Sequence, residues 1–370
     1  MHVLITGGAG FIGSHLADAL LQKGARVRVI DSLDPQVHGD GGRRPGYLDP
    51  NIELVHADVR DKARVRDALG GIDVVFHFAA RVGVGQSMYQ IRDYVSANCE
   101  GTAVLLEALL DHPVKKLVVA SSMSIYGEGR YRRHDGKTIE PPERQRDQFA
   151  RGEWEVLDEN GRPLHPVPTP EEKRPSLTSV YGLSKYDQER LCLIHGAAYN
   201  LPAVALRFFN VYGTRQALSN PYTGVLAIFA SRLLNGKPPL IFEDGRQRRD
   251  FVSVHDIVRG CILAMESPKS SGQVFNIGSG RASTVLEVAE ALRKVLGRED
   301  IEPQVVGKYR AGDIRHCYAD ITRAREVLGY EPQVKLEDGL RELSAWLRGQ
   351  VATDHVDKAA QELAARGLTI

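Results

Sequence analysis

Tyr181 and Lys185 stand four residues apart in Tyr-Gly-Leu-Ser-Lys. On a helix that spacing places a phenol and an ammonium on one face. A phenol with the usual pKa of about 10 is a poor base at neutral pH, and bringing it to about 7 requires about 4 kcal/mol of preference for the phenolate. A neighbouring ammonium supplies part of this preference. A base so tuned can take the proton of an alcohol, the proton half of a hydride transfer.

A hydroxyl partner is found upstream. Leu117-Val-Val-Ala-Ser-Ser122-Met-Ser124 is an apolar strand running into hydroxyl residues. Ser122 is therefore expected at the carboxyl edge of the sheet, where open α/β folds bind ligands. There it either hydrogen-bonds the reacting oxygen or ends the strand by capping local backbone.

The hydride acceptor is suggested by Gly7-Gly-Ala-Gly10-Phe11-Ile12-Gly13, which follows one apolar strand and opens a helix. Glycines allow a tight turn and bring backbone amides to a pyrophosphate at the positive helix end. Asp31 ends the second strand, where a carboxylate accepts from ribose hydroxyls and repels a 2′-phosphate. NAD is expected over NADP, with Arg43 and Arg44 as the residues that could reverse the preference. Asp58, followed by Val59, either receives the adenine amine or caps the helix after it.

The elements needed to hold these groups are legible. Short apolar runs at 2–6, 27–30, 53–56, 74–78, 116–121 and 203–207 alternate with helical periodicity at 14–23, 61–69, 95–110 and 180–199. This predicts an α/β fold, a Rossmann-like doubly wound parallel sheet. After Asn210 the rhythm changes to helices at 224–235, 285–296, 321–328 and 336–348 with short strands at 240–243 and 273–277, a smaller α/β substrate-binding lobe. The expected division is 1–210 plus about 250–272 for the cofactor domain, 211–249 and 273–347 for the lobe, and 348–370 as a helical tail, solvated or docked. The proline-rich, highly charged stretch 128–177 reads as an insertion with little periodicity: surface decoration, a lid, or an oligomer contact.

Bulk composition excludes other classes. With 42% hydrophobic and 26% charged residues among 370, the chain is of ordinary globular type. A net charge of +1 leaves no electrostatic footprint for nucleic acid or an anionic membrane. Cys99, Cys192, Cys261 and Cys317 form no Cys-x-x-Cys pair, so neither a disulfide framework nor a metal site is expected. No apolar run reaches the roughly 18 residues of a membrane helix, and the first residues lack a signal-peptide pattern, so a cytoplasmic protein is expected.

Taken in order, the Gly7 to Gly13 turn, His77-Phe78-Ala79-Ala80, Asn98-Cys-Glu-Gly-Thr, Ser-Ser122-x-Ser124-x-Tyr-Gly, Tyr181 with Lys185, Arg207-Phe-Phe-Asn210, Arg249-Asp-Phe-Val and Arg310-Ala-Gly-Asp313 resemble the extended short-chain dehydrogenase/reductase family, specifically its nucleotide-sugar epimerases and dehydratases. The resemblance implies that Tyr181 is the base, that Lys185 binds the nicotinamide ribose and lowers the Tyr181 pKa, and that Ser122 bonds the substrate hydroxyl. It implies that Phe11, Ile12, Val59, Phe78, Ala79, Ala80 and Asn98 help hold NAD. For the substrate it implies Val84, Ser124, Asn210, Arg249, Arg310 and Asp313, the two arginines clamping a sugar diphosphate. Cys317 falls where 4-epimerases of the family vary a side chain that admits larger sugars; an inert core thiol is the other reading. Dehydratases of the family carry an acid pair, and decarboxylases a Glu, where this chain has Met123 and Ser124, leaving oxidation and re-reduction at C4. The stretches 82–88 and 215–225 are most similar to 4-epimerases of 6-deoxyhexoses, ahead of UDP-hexose and UDP-uronate enzymes; a 4-ketoreductase is the nearest rival, and a non-catalytic dinucleotide-sensing protein on the same fold a distant one. Pairing of the helices at 95–110 and 180–199 into a homodimer is implied as well.

Overall fold

The computed structural model describes every residue except Thr223, Val351 and Ile370. Thr223 lies in the stretch 215–225 singled out above, and Val351 and Ile370 in the tail; these fall outside the described residues.

Seven parallel strands form the central sheet: β1 (His2–Thr6), β2 (Arg26–Asp31), β3 (Glu53–His56), β4 (Val74–His77), β5 (Lys116–Ser122), β6 (Ala203–Phe208) and β7 (Val274–Ile277). Their spatial order is β7-β6-β5-β4-β1-β2-β3, so the winding reverses between β1 and β4. Such a reversal opens a crevice at the carboxyl ends of the strands. Alternate residues face opposite layers. Val3, Ile5, Val27 and Val29 pack with Leu16, Leu20 and Ile257 on one side. Leu4, Ile30, Val75 and Val119 pack with Leu105, Leu109 and Leu193 on the other. Burial from both sides explains why these strands read as continuous apolar runs.

One element departs from the expected division. The run Val-Phe-Asn-Ile of β7, expected in the lobe, pairs with β6 in parallel, Phe275 opposite Leu206. Phe275 and Ile277 are fully buried there. The helix Val254–Glu266, opened by the Ser253 hydroxyl accepting from His255 N at 3.3 Å, packs against the helix Phe11–Gln22.

The lobe has its own core, where Phe229, Leu233, Val288, Leu292, Leu340, Leu343 and Leu347 come together from the helices Val225–Leu234, Val285–Val295 and Leu336–Leu347. The insertion is more ordered than its sequence suggests. Strands Arg130–Arg132, Thr138–Ile139 and His165–Val167 make an antiparallel sheet over Tyr131, Val156 and Leu164. Charge ties it to the lobe: Arg144 meets Glu243 at 2.8 Å, and buried Arg315 meets Glu243 at 2.8 Å, Asp244 at 2.6 Å and Glu155 at 2.6 Å. Phe149 stacks on Tyr309 with centroids 3.8 Å apart. Long-range ionic and stacking contacts of this kind leave no periodic trace in sequence. Among the described residues no helix is long and apolar enough to cross a membrane.

Candidate active site

A cavity of about 660 Å³ lies along the carboxyl edge of the sheet and runs under the lobe. Gly7, Gly10, Phe11, Ile12 and Gly13 form one end of its wall. Gly7 has φ +68°, and a Cβ at Gly13 would lie 2.5 Å from the Gly7 carbonyl oxygen, so the turn closes only with glycine. Gly10 caps the helix Phe11–Gln22 without a side-chain bond, leaving the first N–H groups of that helix for a ligand.

Asp31 also lines this end; its carboxylate accepts from Ala9 N at 3.0 Å and Leu33 N at 2.9 Å, which fixes its orientation. Arg44 is committed to the carbonyls of Leu48, Asp49 and Ile52. Arg43 is not part of the wall. Neither arginine therefore opposes Asp31. Asp58 and Val59 line the cavity, with Asp58 ion-paired to Arg60 at 2.6 Å. That pair holds the Asp58 carboxyl below its ordinary value. The helix cap is Asp61, which accepts from Arg64 N at 3.1 Å, not Asp58. Phe78, Ala79 and Ala80 complete this end. The glycine cradle, the free helix terminus and Asp31 together fit a dinucleotide.

Asn98 is not brought to the wall with the other expected cofactor residues. It is fully buried off the wall, accepting from Arg81 N at 2.7 Å and donating to Arg81 O and Ser184 Oγ. It braces the chain that follows Ala80 rather than presenting an atom to the cavity.

Ser122, Tyr181 and Lys185 share the middle of the wall. Ser122 ends β5, and Tyr181 sits in the first turn of the helix Val180–Tyr199, whose cap Ser179 accepts from Gly182 N at 3.0 Å. Ser87 Oγ accepts from Tyr181 N at 3.0 Å and docks this turn. Burial raises the Tyr181 pKa, and the Ser122 hydroxyl pulls it down. The Lys185 ammonium is turned to Gln188 Oε1 at 2.6 Å, and burial lowers its pKa to about 8. The Lys185 ammonium is thus anchored on a side chain three residues onward.

Toward the lobe the wall carries Val84, Ser124, Asn210, Arg249, Arg310 and Asp313. Arg249 is aimed by the carbonyls of Arg248 and Arg315, each at 2.9 Å. Arg310 is held by Asp313 at 2.9 and 3.1 Å. Met123 contributes to the apolar core as well as to the wall. Cys317 is 1% exposed, lies off the wall, and its thiol points to Thr169 Oγ1 at 3.8 Å, as in the second of its two expected readings. It behaves as a core residue.

Sequence reasoning missed Gln216 and Gln247, which line the cavity. Their Oε1 atoms, like Asn210 Oδ1, are buried with no hydrogen-bond partner among the described residues. Gln216 lies in the stretch 215–225, but nothing in its spacing marks it. The tail, expected as a helix either solvated or docked, contains the helix Val356–Ala365, whose Val356, Ala359, Ala360 and Leu363 are part of the wall.

A doubly wound sheet with a glycine cradle, Asp31 and a Ser122/Tyr181/Lys185 constellation defines an NAD-dependent enzyme of extended short-chain dehydrogenase/reductase type. The chain belongs to the NAD-dependent epimerase/dehydratase family, which it matches over residues 3–153 and 160–278, and NAD is its cofactor. It is 36% identical to dTDP-L-rhamnose 4-epimerase of Burkholderia thailandensis, over 93% of this chain and 94% of that one. A putative UDP-glucose 4-epimerase of Methanocaldococcus jannaschii is 31% identical over 95% and 100%. Among solved structures, UDP-glucose 4-epimerase of Thermotoga maritima with UDP-glucose superposes with a TM-score of 0.77 at 34% identity, covering 94% of this chain and 99% of that one. UDP-glucuronic acid 4-epimerase of Bacillus cereus, in complex with UDP-glucuronic acid and NAD, gives 0.73 at 30% identity, covering 94% and 99%.

Proposed function

We propose that this protein inverts C4 of a nucleotide-linked hexose through a 4-keto sugar, with a dTDP-6-deoxyhexose of the L-rhamnose type as preferred substrate. One observation carries the reaction type: Ser122, Tyr181 and Lys185 face a cavity whose only carboxylates, among the described residues, are Asp31, Asp34, Asp58 and Asp313. Asp31 is bonded to backbone amides, and the others are paired with Arg81, Arg60 and Arg310. No carboxylate is left beside Tyr181 to remove water, so elimination lacks its proton shuttle.

NAD, when bound, supplies the hydride acceptor and donor for C4 and a positive ring that favours the phenolate. Tyr181 takes the C4 hydroxyl proton and later returns it, while Ser122 hydrogen-bonds the same oxygen. Lys185 adds charge that favours ionisation of Tyr181. Arg249 and Arg310 anchor the diphosphate bidentately. The unpartnered oxygens of Asn210, Gln216 and Gln247 are acceptors for ribose hydroxyls and the base imide. Anchoring at the diphosphate leaves the sugar free to turn and present its other face.

The 36% identity to the Burkholderia enzyme supports the 6-deoxyhexose, and the likeness to the Thermotoga enzyme keeps UDP-hexose as the second reading. Ile91, Val95, Leu183, Ile194 and Tyr199 are exposed on the two neighbouring helical segments, a surface suited to a homodimer. A cytoplasmic location fits a chain of cysteines that form no disulfide.

The test is to incubate the purified protein with dTDP-L-rhamnose, UDP-glucose or UDP-glucuronate without added reductant and to resolve the products by NMR. Formation of the C4 epimer of dTDP-L-rhamnose is expected. A protein that leaves these three sugars unchanged but reduces a dTDP-4-keto-6-deoxyhexose, with one NADPH oxidised per sugar, would be a ketoreductase instead.

A further inference from the structure

The helix Val356–Ala365 crosses the lobe end of the cavity and is fastened along its length. At its start Arg232 meets Asp357 at 2.6 Å, Lys237 meets Asp354 at 3.0 Å, and Asn235 Nδ2 donates to Ala352 O at 2.8 Å. In its middle Glu362 accepts from the hydroxyls of Tyr89 at 3.0 Å and Tyr222 at 3.2 Å, and these hydroxyls lie 2.6 Å apart. Beyond its end Arg366 lies over the Tyr89 ring at 4.3 Å, and Ala311 N donates to Leu368 O at 2.8 Å, beside Arg310. Val356, Ala359, Ala360 and Leu363 recur at helical spacing, so one apolar face turns to the cavity.

A continuous row of contacts leads from the base to this face. The short helix Val84–Ser87 touches Tyr181 N through Ser87 Oγ. Val84 lies 3.2 Å from where a Cβ on Gly312 would stand, and Gly312 lies between the clamp residues Arg310 and Asp313. A Cβ on Gly85 would meet both Leu363 methyl groups at 3.4 Å and Arg310 Cδ at 3.9 Å. A hexose whose anomeric phosphate is held by Arg310 while C4 reaches Tyr181 must lie along this row. If the sugar turns between oxidation and reduction, its C6 substituent sweeps past the apolar face.

We propose that the helix Val356–Ala365 is a specificity wall of the active site, through which Ala359, Ala360 and Leu363 admit an uncharged, 6-deoxy sugar and reject a uronate. This rests on the nucleotide-sugar 4-epimerase reading. A methyl group needs no partner against that face, whereas a carboxylate placed there is buried unpaired. The Arg310 guanidinium is engaged by Asp313 and, in this reading, by the phosphate, and Glu362 adds a negative charge on the same helix.

The experiment is calorimetric titration of the NAD-loaded protein with dTDP-L-rhamnose, UDP-glucose and UDP-glucuronate. Wild type, Leu363→Arg, Ala360→Arg and the outward-facing Lys358→Glu are compared, with melting temperatures recorded. In wild type the uronate is expected to bind at least about tenfold more weakly than the neutral sugars, and either arginine variant should narrow that ratio by about tenfold while Lys358→Glu leaves it unchanged. Ala360 is partly exposed, so its variant remains informative if Leu363→Arg unfolds. Binding of all three sugars with the same ratio in wild type and in the folded arginine variants would overturn the wall alone. Binding of none would overturn the nucleotide-sugar reading and the wall with it.

Discussion

Lys185 donates its ammonium to Gln188 Oε1 at 2.6 Å, while the Gln188 amide reaches Thr102 Oγ1 at 2.9 Å and His77 Nε2 at 3.2 Å. The lysine is thereby held by a buried chain that runs back to Thr6 on β1, whose hydroxyl lies 2.8 Å from His77 Nδ1. Burial, helped by the Lys185 charge, lowers the His77 pKa to about 3, so the ring is neutral at working pH and serves as a strut.

The pH profile should carry the mark of this burial. Lys185 is charged below about 8 and neutral above it. Because that charge favours the Tyr181 phenolate, kcat is expected to fall as pH rises through this value. Lys185→Arg keeps its charge, so its profile should lack the falling limb while its overall rate is lower. A level wild-type profile through this range would assign the ionisation of Tyr181 to other groups.

Tyr181→Phe removes the hydroxyl to which the proposed mechanism assigns the C4 proton. A loss of about 10²–10⁴ in kcat is expected, with the NAD content and melting temperature of wild type. Product NMR and absorbance of the released cofactor measure both.

Asp31→Ala should act twice. It weakens NAD binding by removing the ribose acceptor, and it strips Ala9 N and Leu33 N of their partner. Orphaning such amides costs about 1–3 kcal/mol, visible in chemical denaturation of the cofactor-free protein. Asp31→Asn keeps an acceptor oxygen and should recover part of the stability but not the preference for NAD over NADP.

The docking of the insertion should fail in acid. Although burial raises it, hydrogen bonds from His316 and Arg315 bring the Glu155 carboxyl down to about 2. A carboxyl with a folded pKa below its unfolded value of about 4.3 stabilises the fold above that value and loses its contribution as pH falls toward 2. Trp154, stacked near Phe149, should report the release by fluorescence, and Glu155→Gln should flatten the response. Arg144→Ala leaves Glu243 with Arg315 as its one buried cationic partner and should cost about 1–3 kcal/mol at neutral pH.

Leu183→Asp combined with Ile194→Asp places charge on the exposed helical surface. Light scattering after size exclusion should show a dimer for wild type and a monomer for the variant. An unchanged mass would remove these helices from the interface.

Much of this was legible because it depends on local rules. The helix Val180–Tyr199 and the strands His2–Thr6 and Glu53–His56 have the bounds expected from apolar periodicity. The glycine cradle was readable because only glycine closes that turn. What was missed depends on long-range partners. The lysine's acceptor Gln188 is an ordinary helical glutamine in sequence. Asn98 and Cys317 sit in motifs similar to the family's, yet their side chains turn into the core. The order of the insertion comes from Arg144, Glu155, Glu243 and Arg315, which are far apart along the chain. The helix Val356–Ala365 read equally as solvated or docked because its apolar stripe of alanines is thin, and only its position over the cavity decides between the two.

The placement of β7 bears on synthesis. The sheet gains its outer strand only at Val274–Ile277, after the first lobe elements have been made. Until then β6, buried along its whole length in the finished protein, has an open edge of unpaired backbone groups. A nascent chain ending near Asn210 should be prone to aggregation on the ribosome, and a fragment cut there should need chaperones or detergent to stay in solution. The cofactor half is therefore not a portable module, and a fragment meant to bind NAD alone would have to include residues through Ile277.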